Sequence, residues 1–424
     1  MKLTKFQIII LVIFSAGILI GLAVLSLTKS TSTSAALPSV TIWGVVPEQL
    51  VLRYISDINL GRPEALNIDY IEKDVYTIED ELVEELALGN GPDAILVPQE
   101  LLLTFENKLI PIPYVSINAR DYKNTFIEQA ELYMRDEGIL GIPLFIDPLV
   151  MYWNRDMFTN AGIASYPKIW DDFLDVGKKI NQKDINSNIR RSSIALGEFG
   201  NVSNARDIFS LILLQASNPI VQNKQSALGG QNLDITENAI NFFSGFSNPS
   251  SPAYSWNRSL PLSKNYFLSG NLATYFGYAS EVNDIKDKNP NLNFDIAPMP
   301  QPKNAKQRIN YSRMYGFSIV KSSKNPVGVY AVLSELTSFD ALSKLVPLTY
   351  LPPVRRDLID AGNVDPYLSI FYDSALISRG WLDPDPFQSA ALFQNLIESV
   401  VSGRELMTQA ISQIDTSLNS LLNK

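Results

Sequence analysis

Past residue 38 the apolar positions fall into short runs and helical stripes that alternate along the chain. Thr41-Ile-Trp-Gly-Val-Val46 is β-branched and aromatic and stops at Pro47, which predicts a buried strand. Val51, Tyr54, Ile55 and Ile58 then recur at helical spacing, and Asn67-Ile-Asp-Tyr-Ile71 alternates as a second strand. Glu79 to Leu88 predicts a helix, acidic at its start, with Leu82, Val83 and Leu86 on one face and Gly89 as its stop. Ala94-Ile-Leu-Val97 is a third strand, entered through Gly91-Pro92-Asp93. Strand, helix, strand, helix, strand predicts an α/β fold with a parallel sheet under covering helices.

The alternation continues. Gly141 to Ile146 and Leu149 to Trp153 predict two short strands. Trp170, Phe173, Leu174, Gly177 and Ile180 predict a helix. Further on come a strand at Ser193–Leu196, a helix at Ala205–Gln215, and strands at Phe294–Ala297 and Tyr315–Val320. Helices at Pro386–Val401 and Ala410–Leu422 close the chain. In open sheets of this kind ligands bind beyond the carboxyl ends of the strands, so the residues that follow each strand are the ones to watch.

The N-terminal pattern differs. Phe6 to Thr28 is a run of 23 residues without a charge. At about 1.5 Å per residue it makes about 34 Å of helix, enough for a hydrocarbon core of about 30 Å. Lys2 and Lys5 precede it and Lys29 follows, which orients the N-terminus inside. A secretory signal is the rival reading, with Ser34-Ala35-Ala36 as a small-residue cleavage site, but its apolar region is normally shorter. The expectation is a membrane anchor over residues 1–29, a linker over 30–38, and an extracytoplasmic remainder.

Composition narrows the chemistry. The 424 residues are 46% hydrophobic and 19% charged, a globular balance and enough chain for two cores. The formal net charge of −9 offers no basic face for phosphates, so nucleic acid is not an expected partner. There is no cysteine, hence no disulfide, thiol nucleophile or lipidated Cys. There is no histidine either, which removes Ser-His-Asp and Cys-His catalysis and histidine-ligated zinc. No cofactor or metal is expected.

Gly141-Ile-Pro-Leu-Phe-Ile-Asp-Pro-Leu-Val-Met-Tyr-Trp-Asn-Arg-Asp-Met-Phe158, followed by Ala161-Gly-Ile163 and Pro167-Lys-Ile-Trp-Asp-Asp-Phe173, resembles the signature region of family 1 extracellular solute-binding proteins. Gly91-Pro-Asp-Ala-Ile-Leu96, Phe294-Asp-Ile-Ala-Pro-Met-Pro300 and Gly316-Phe-Ser-Ile-Val-Lys-Ser-Ser-Lys-Asn-Pro326 match in the same order. The resemblance implies the type II periplasmic-binding-protein fold: two discontinuous α/β lobes joined by hinge strands, closing on a ligand. Lobe one would take residues 39–145 and 303–350, and lobe two 146–302 and 351–424.

Sugars are recognised by planar polar groups for the hydroxyls and by aromatic faces for the rings. In sugar-binding relatives a ligand-contacting carboxylate stands where this chain has Asp147, although Asp before Pro148 also suits a plain turn. The resemblance likewise brings the loop Gly197-Glu198-Phe199-Gly200-Asn201 toward the cleft, making Glu198, Phe199 and Asn201 candidates; a Gly-bracketed turn is the alternative. Tyr278 matches a cleft aromatic and Trp381 lies near another, while some relatives have tryptophan where this chain has Val97. Gln99 and Glu100 follow the third strand, Trp43 lies in the first, and Arg313 and Tyr315 precede or open a late strand. For each aromatic, a place in the core is the alternative.

The expected function is therefore a non-catalytic, monomeric receptor. It would trap a small polar solute, a mono- or oligosaccharide, and present it to the transmembrane subunits of an ABC permease. Two alternatives stand beside it: a membrane-tethered sensor or scaffold, and a glycoside hydrolase using Asp147 and Glu198 as its carboxylate pair.

Overall fold

A computed structural model describes residues 37–423; the Phe6–Thr28 run lies outside the described residues. Among the described residues no helix is long and apolar enough to cross a membrane. One 11-stranded sheet runs through the molecule. Its main path is Ile68–Glu72, Val40–Gly44, Ala94–Pro98, Asn310–Val320, Ile142–Asn154, Leu272–Tyr278, Ile189–Ile194 and Gln182–Lys183.

The first three strands are parallel, as the strand–helix alternation predicts. Ala94–Pro98 is buried along its whole length, which is why it reads as a continuous apolar run rather than an alternation. Tyr54, Ile55 and Ile58 bury one stripe of the helix Glu48–Asn59. In the helix Ile78–Leu88, Leu82 is fully buried, but Val83 is half exposed and does not share its face. Leu174 is likewise exposed at 40% on the helix Asp172–Ile180.

The two short strands expected at 141–146 and 149–153 are one strand of 13 residues, Ile142–Asn154. Its first part pairs with Asn310–Val320, from Phe317 opposite Ile142 to Ser312 opposite Pro148. Its second part pairs with Leu272–Tyr278, from Tyr278 opposite Leu149 to Thr274 opposite Trp153. Pro148 thus stands where the strand changes neighbours. A residue without an N–H is tolerated there, so the proline does not end the strand. Asn310–Val320 also begins earlier than expected and pairs with Ser378–Arg379 through Asn310 and Tyr311.

These two long strands cross between the parallel half of the sheet and the half around Leu272–Tyr278. The helix Ala205–Gln215 packs in the second half and is buried on nearly every side, through Ile208, Phe209, Leu211 and Leu213 among others. Asn204 precedes its first turn in the left-handed conformation (φ 57°), which asparagine adopts more readily than most residues. The helix Pro386–Val401 is set by Asp385, whose side chain accepts from the N–H groups of Phe387 and Gln388, and by Pro386 in its first turn.

Candidate functional site

The crossover strand Asn310–Val320 presents every second residue to one face. Tyr311, Arg313 and Tyr315 share that face and look toward a cleft between the two halves. Glu100 enters from the first half, on the turn that follows Ala94–Pro98. Arg206 and Asp207 enter from the second half, on the first turn of Ala205–Gln215. Asp383 comes from the segment before Pro386–Val401, and Tyr278 ends the strand Leu272–Tyr278.

These groups form one network. Arg206 donates to Glu100 at 2.7 Å and to Asp207 at 2.9 Å, and lies 3.3 Å from Asp383. Tyr311 donates its hydroxyl to Glu100 at 3.1 Å and accepts from Arg206 at 3.1 Å. Arg313 donates to the other Glu100 oxygen at 3.1 Å and to Asp207 at 3.4 Å. Tyr278 donates to Asp207 at 2.7 Å, and the Arg313 guanidinium lies 4.6 Å from the centre of the Tyr278 ring. Two guanidiniums are shared among three carboxylates, a forked arrangement that lysine cannot reproduce.

Burial works against the charge on Arg206, but Asp207, Tyr311, Glu100 and Asp383 outweigh it and hold the guanidinium protonated. Burial has the opposite result at Asp383. It pushes the carboxyl up to about 7 despite Arg206, the Ser389 hydroxyl and the Asp385 N–H. Asp147 faces the same desolvation and rises to about 6, moderated by its bond from the Ser280 N–H and by Arg313.

Above the network lies a cavity of about 400 Å³. Glu100, Arg206, Asp207 and Arg313 form its polar surface, and Val45, Val75, Pro98 and Tyr315 its apolar wall. Tyr76 and Phe387 stand at its rim. Tyr315 stacks on Phe145, ring centres 4.7 Å apart, which fixes its plane at the wall. A groove of about 520 Å³ lies elsewhere, between Glu106 and Lys224, but its lysines pair with its own glutamates, Lys108 with Glu79 and Lys224 with Glu106. The smaller cavity gathers convergent forked donors and acceptors beside aromatic rings, the combination expected of a small-molecule site.

Of the residues singled out from the sequence, Glu100, Arg313 and Tyr315 line the cavity, and Tyr278 and Asp147 lie next to Arg313 in the layer below. Gln99 is buried and accepts from the Met314 N–H, holding the turn that carries Glu100. The others lie apart from this cavity. Trp43 is buried in the first half, with Lys73 Nζ 3.9 Å from its ring centre. Trp381 is buried against Phe393 and donates to Ser210. Glu198 pairs with Arg258 at 3.3 Å. Asn201 accepts from Trp256 and donates to the carbonyls of Asn257 and Leu260.

Arg206, Asp207, Tyr311 and Asp383 were not singled out from the sequence. The alternation Tyr311-Ser-Arg-Met-Tyr315 is a signal for one of them, since it puts three hydrogen-bonding side chains on one face of a strand. Arg206 and Asp207 carry no such signal. They look like ordinary polar residues of a first helical turn until the chain folds.

A model of the bacterial extracellular solute-binding protein family matches residues 75–341. A candidate binding protein of Brucella abortus (strain 2308) is 21% identical, over 97% of this chain and 99% of its own. Among solved structures, the cyclic α-maltosyl-1,6-maltose binding protein of Arthrobacter globiformis is similar with a TM-score of 0.74 and 14% identity. The alignment covers 91% of this chain and 99% of that one. The sugar-binding protein MalE of Xanthomonas citri gives 0.71 at 17% identity, over 91% of this chain and 98% of that one. A cyclo/maltodextrin-binding protein complexed with maltotetraose gives 0.71 at 15% identity, over 90% of this chain and 96% of that one. At these identities the likeness to solved structures shows the fold.

Proposed function

The chain belongs to the bacterial extracellular solute-binding protein family, and we propose that its solute is a carbohydrate, delivered to the transmembrane subunits of an ABC-type importer. Family membership sets it among binding proteins rather than enzymes. The observation that carries the carbohydrate reading is the cavity over Glu100, Arg206, Asp207 and Arg313, with aromatic rings at its wall and rim. A sugar offers hydroxyls that both donate and accept at its edge and C–H groups on its faces. Carboxylates and guanidiniums satisfy the first, and aromatic faces the second. Structural neighbours complexed with maltotetraose and with mannobiose bound support the same class.

In this reading the lobes are residues 39–145 with 303–350, and 146–302 with 351–424. The crossover strands Ile142–Asn154 and Asn310–Val320 act as the hinge. In the closed form the Glu100–Arg206 pair links the two sides beneath the solute, and the permease distinguishes closed from open. The Phe6–Thr28 segment tethers the receptor at the outer membrane face. Residues around Glu198 and Asn201 form an outer part of the cleft that engages larger sugars.

A thermal-shift screen against mono- and oligosaccharides tests the proposal. A sugar present at about 100 times its dissociation constant adds about 2.7 kcal/mol to stability and raises the melting temperature. A flat response across glucose, maltotetraose, mannobiose and tagatose removes the carbohydrate assignment.

A further inference from the structure

The strand Asn310–Val320 is held at its two ends by different lobes. Asn310 and Tyr311 pair with Ser378–Arg379 of lobe two, whereas Tyr315 to Ile319 pair with Ala94–Pro98 of lobe one. The stretch between them, Ser312–Met314, has a strand beside it on one edge only, where it runs opposite Ile146–Pro148. That partner strand also changes neighbours at Pro148, opposite Ser312. Both crossover strands therefore change partners at the same pair of residues.

Two side chains stand where a second neighbouring strand would. The Ser312 carbonyl accepts from Gln129 Nε2 at 2.7 Å, and the Met314 N–H donates to Gln99 Oε1. Alternate residues of a strand turn their backbone groups to the same edge, so the two glutamines bind that edge side by side. They come from the turns Gln99–Leu101 and Glu128–Tyr133, and both are buried. A primary amide carries a donor and an acceptor, as a peptide group does, and each glutamine uses one of the two. Among the described residues, Gln99 Nε2 and Gln129 Oε1 are buried without a partner. Such a group costs free energy, so a pair of them on one strand edge points to a second arrangement in which they are bonded. Ladder bonds fix two backbones at one spacing, but a glutamine amide can follow a turning strand through its side-chain torsions. The pairing with Ile142–Asn154 also slips between Tyr315 and Gly316, so the strand leaves the regular ladder just beyond this stretch.

We propose that Gln99 and Gln129 form an amide clasp at the pivot of lobe movement. They hold Ser312–Met314 through bonds that exchange as the strand turns, the spare half of each amide taking up a backbone group of the strand. The clasp also ties the pivot to the cavity, because Gln99 precedes Glu100, which Arg206 and Arg313 hold. This inference rests on the two-lobe reading above.

Distance measurements between the lobes test it. The chain has no cysteine, so Val115→Cys in lobe one and Ile185→Cys in lobe two, at positions 95% and 99% exposed, give two unique sites for nitroxide labels. Pulsed electron paramagnetic resonance on the full chain reads the mean and the spread of the distance between them. Gln99→Met and Gln129→Met keep the side-chain length and lose the amide. Each should widen the spread, and the double variant should widen it further. Exchange of the Met314 amide hydrogen should quicken about tenfold in Gln99→Met, the worth of one hydrogen bond. Asn218→Leu is the control for a merely weakened fold, since Asn218 is fully buried within lobe two and bonded to Thr236 and Ile220. Its variant should melt lower with the spread unchanged. Widening confined to the glutamine variants supports the clasp, whichever sugar binds. An unchanged spread in both glutamine variants overturns it, as does an equal widening in the Asn218 variant. In those cases a mean distance that maltotetraose, mannobiose or glucose shifts in the unaltered protein leaves lobe closure standing without the clasp. A distance that none of them shifts removes lobe closure as well.

Discussion

Arg206 and Glu100 meet at 2.7 Å across the cleft, one from the second half of the sheet and one from the first. The Arg206 side chain is 11% exposed and that of Glu100 4%. A contact this dry is held by a shared charge, and Asp207 and Asp383 complete it. The two sides of the cleft are thus coupled through this guanidinium, with Arg313 bridging Glu100 and Asp207 beside it.

Replacing that guanidinium should be costly. Arg206→Leu leaves Asp383 without its counter-charge and Glu100 with Arg313 alone, and removing one partner of a buried pair typically costs about 3–5 kcal/mol. Urea denaturation should show a loss in that range. Arg206→Lys should recover only part of it, because an ammonium cannot fork toward three carboxylates. A loss below about 1 kcal/mol in the leucine variant would contradict the network's role.

Stability should fall as pH rises from the acid range toward neutrality. Asp383 titrates at about 7 and Asp147 at about 6 in the folded protein, against about 3.9 for an unfolded aspartate. The folded state therefore holds more protons between these values, and unfolding releases them. The stabilisation is complete below about pH 4 and is lost as the pH climbs through 6 and 7. Asp184, held at about 2 by bonds from Asn188 and Arg190, changes only below this window. Unfolding free energies measured at pH 5 and pH 8 should differ in favour of pH 5, and Asp383→Asn should shrink the difference.

The loop that carries Glu198 depends on Gly197. Its φ is +95°, and a Cβ built there would lie 2.5 Å from the Ser247 backbone nitrogen. Gly197→Ala combines a disfavoured backbone with a backbone clash, and a loss of about 2–3 kcal/mol is expected. Thermal denaturation checks it, with Gly162→Ala as the comparison. Gly162 also has positive φ (+65°) but open space around it, so its variant should lose less.

Glu100→Gln and Glu198→Gln should part company in binding. Glu100 lines the cavity and answers two arginines, whereas Glu198 answers the largely exposed Arg258. Isothermal titration with a monosaccharide should show a loss of at least about tenfold for the first, the scale of a charged hydrogen bond, and little change for the second. A longer sugar that reaches the Glu198 loop should restore some sensitivity to the second.

The chain's local patterns settled its class of fold. Buried parallel strands such as Ala94–Pro98 read as unbroken apolar runs, and helices such as Ala205–Gln215 and Pro386–Val401 stand where their periodicity put them. The signature around Gly141–Phe158 was legible because it encodes the crossover strand itself. Its continuity through Pro148 was not, since a proline ends a strand only when its missing N–H is needed, and that depends on which neighbour lies alongside. The site divided the same way. Glu100 and Tyr315 were visible because they follow or lie on strands at the cleft, while Trp43 and Trp381 carry the same aromatic chemistry inside the core. Arg206, Tyr76 and Phe387 came to line the cavity, and Asp383 to pair with Arg206, only on folding, since their partners are far away in sequence. Charge pairing and ring contact act over a few ångströms of space, and that separation is set by the tertiary structure alone.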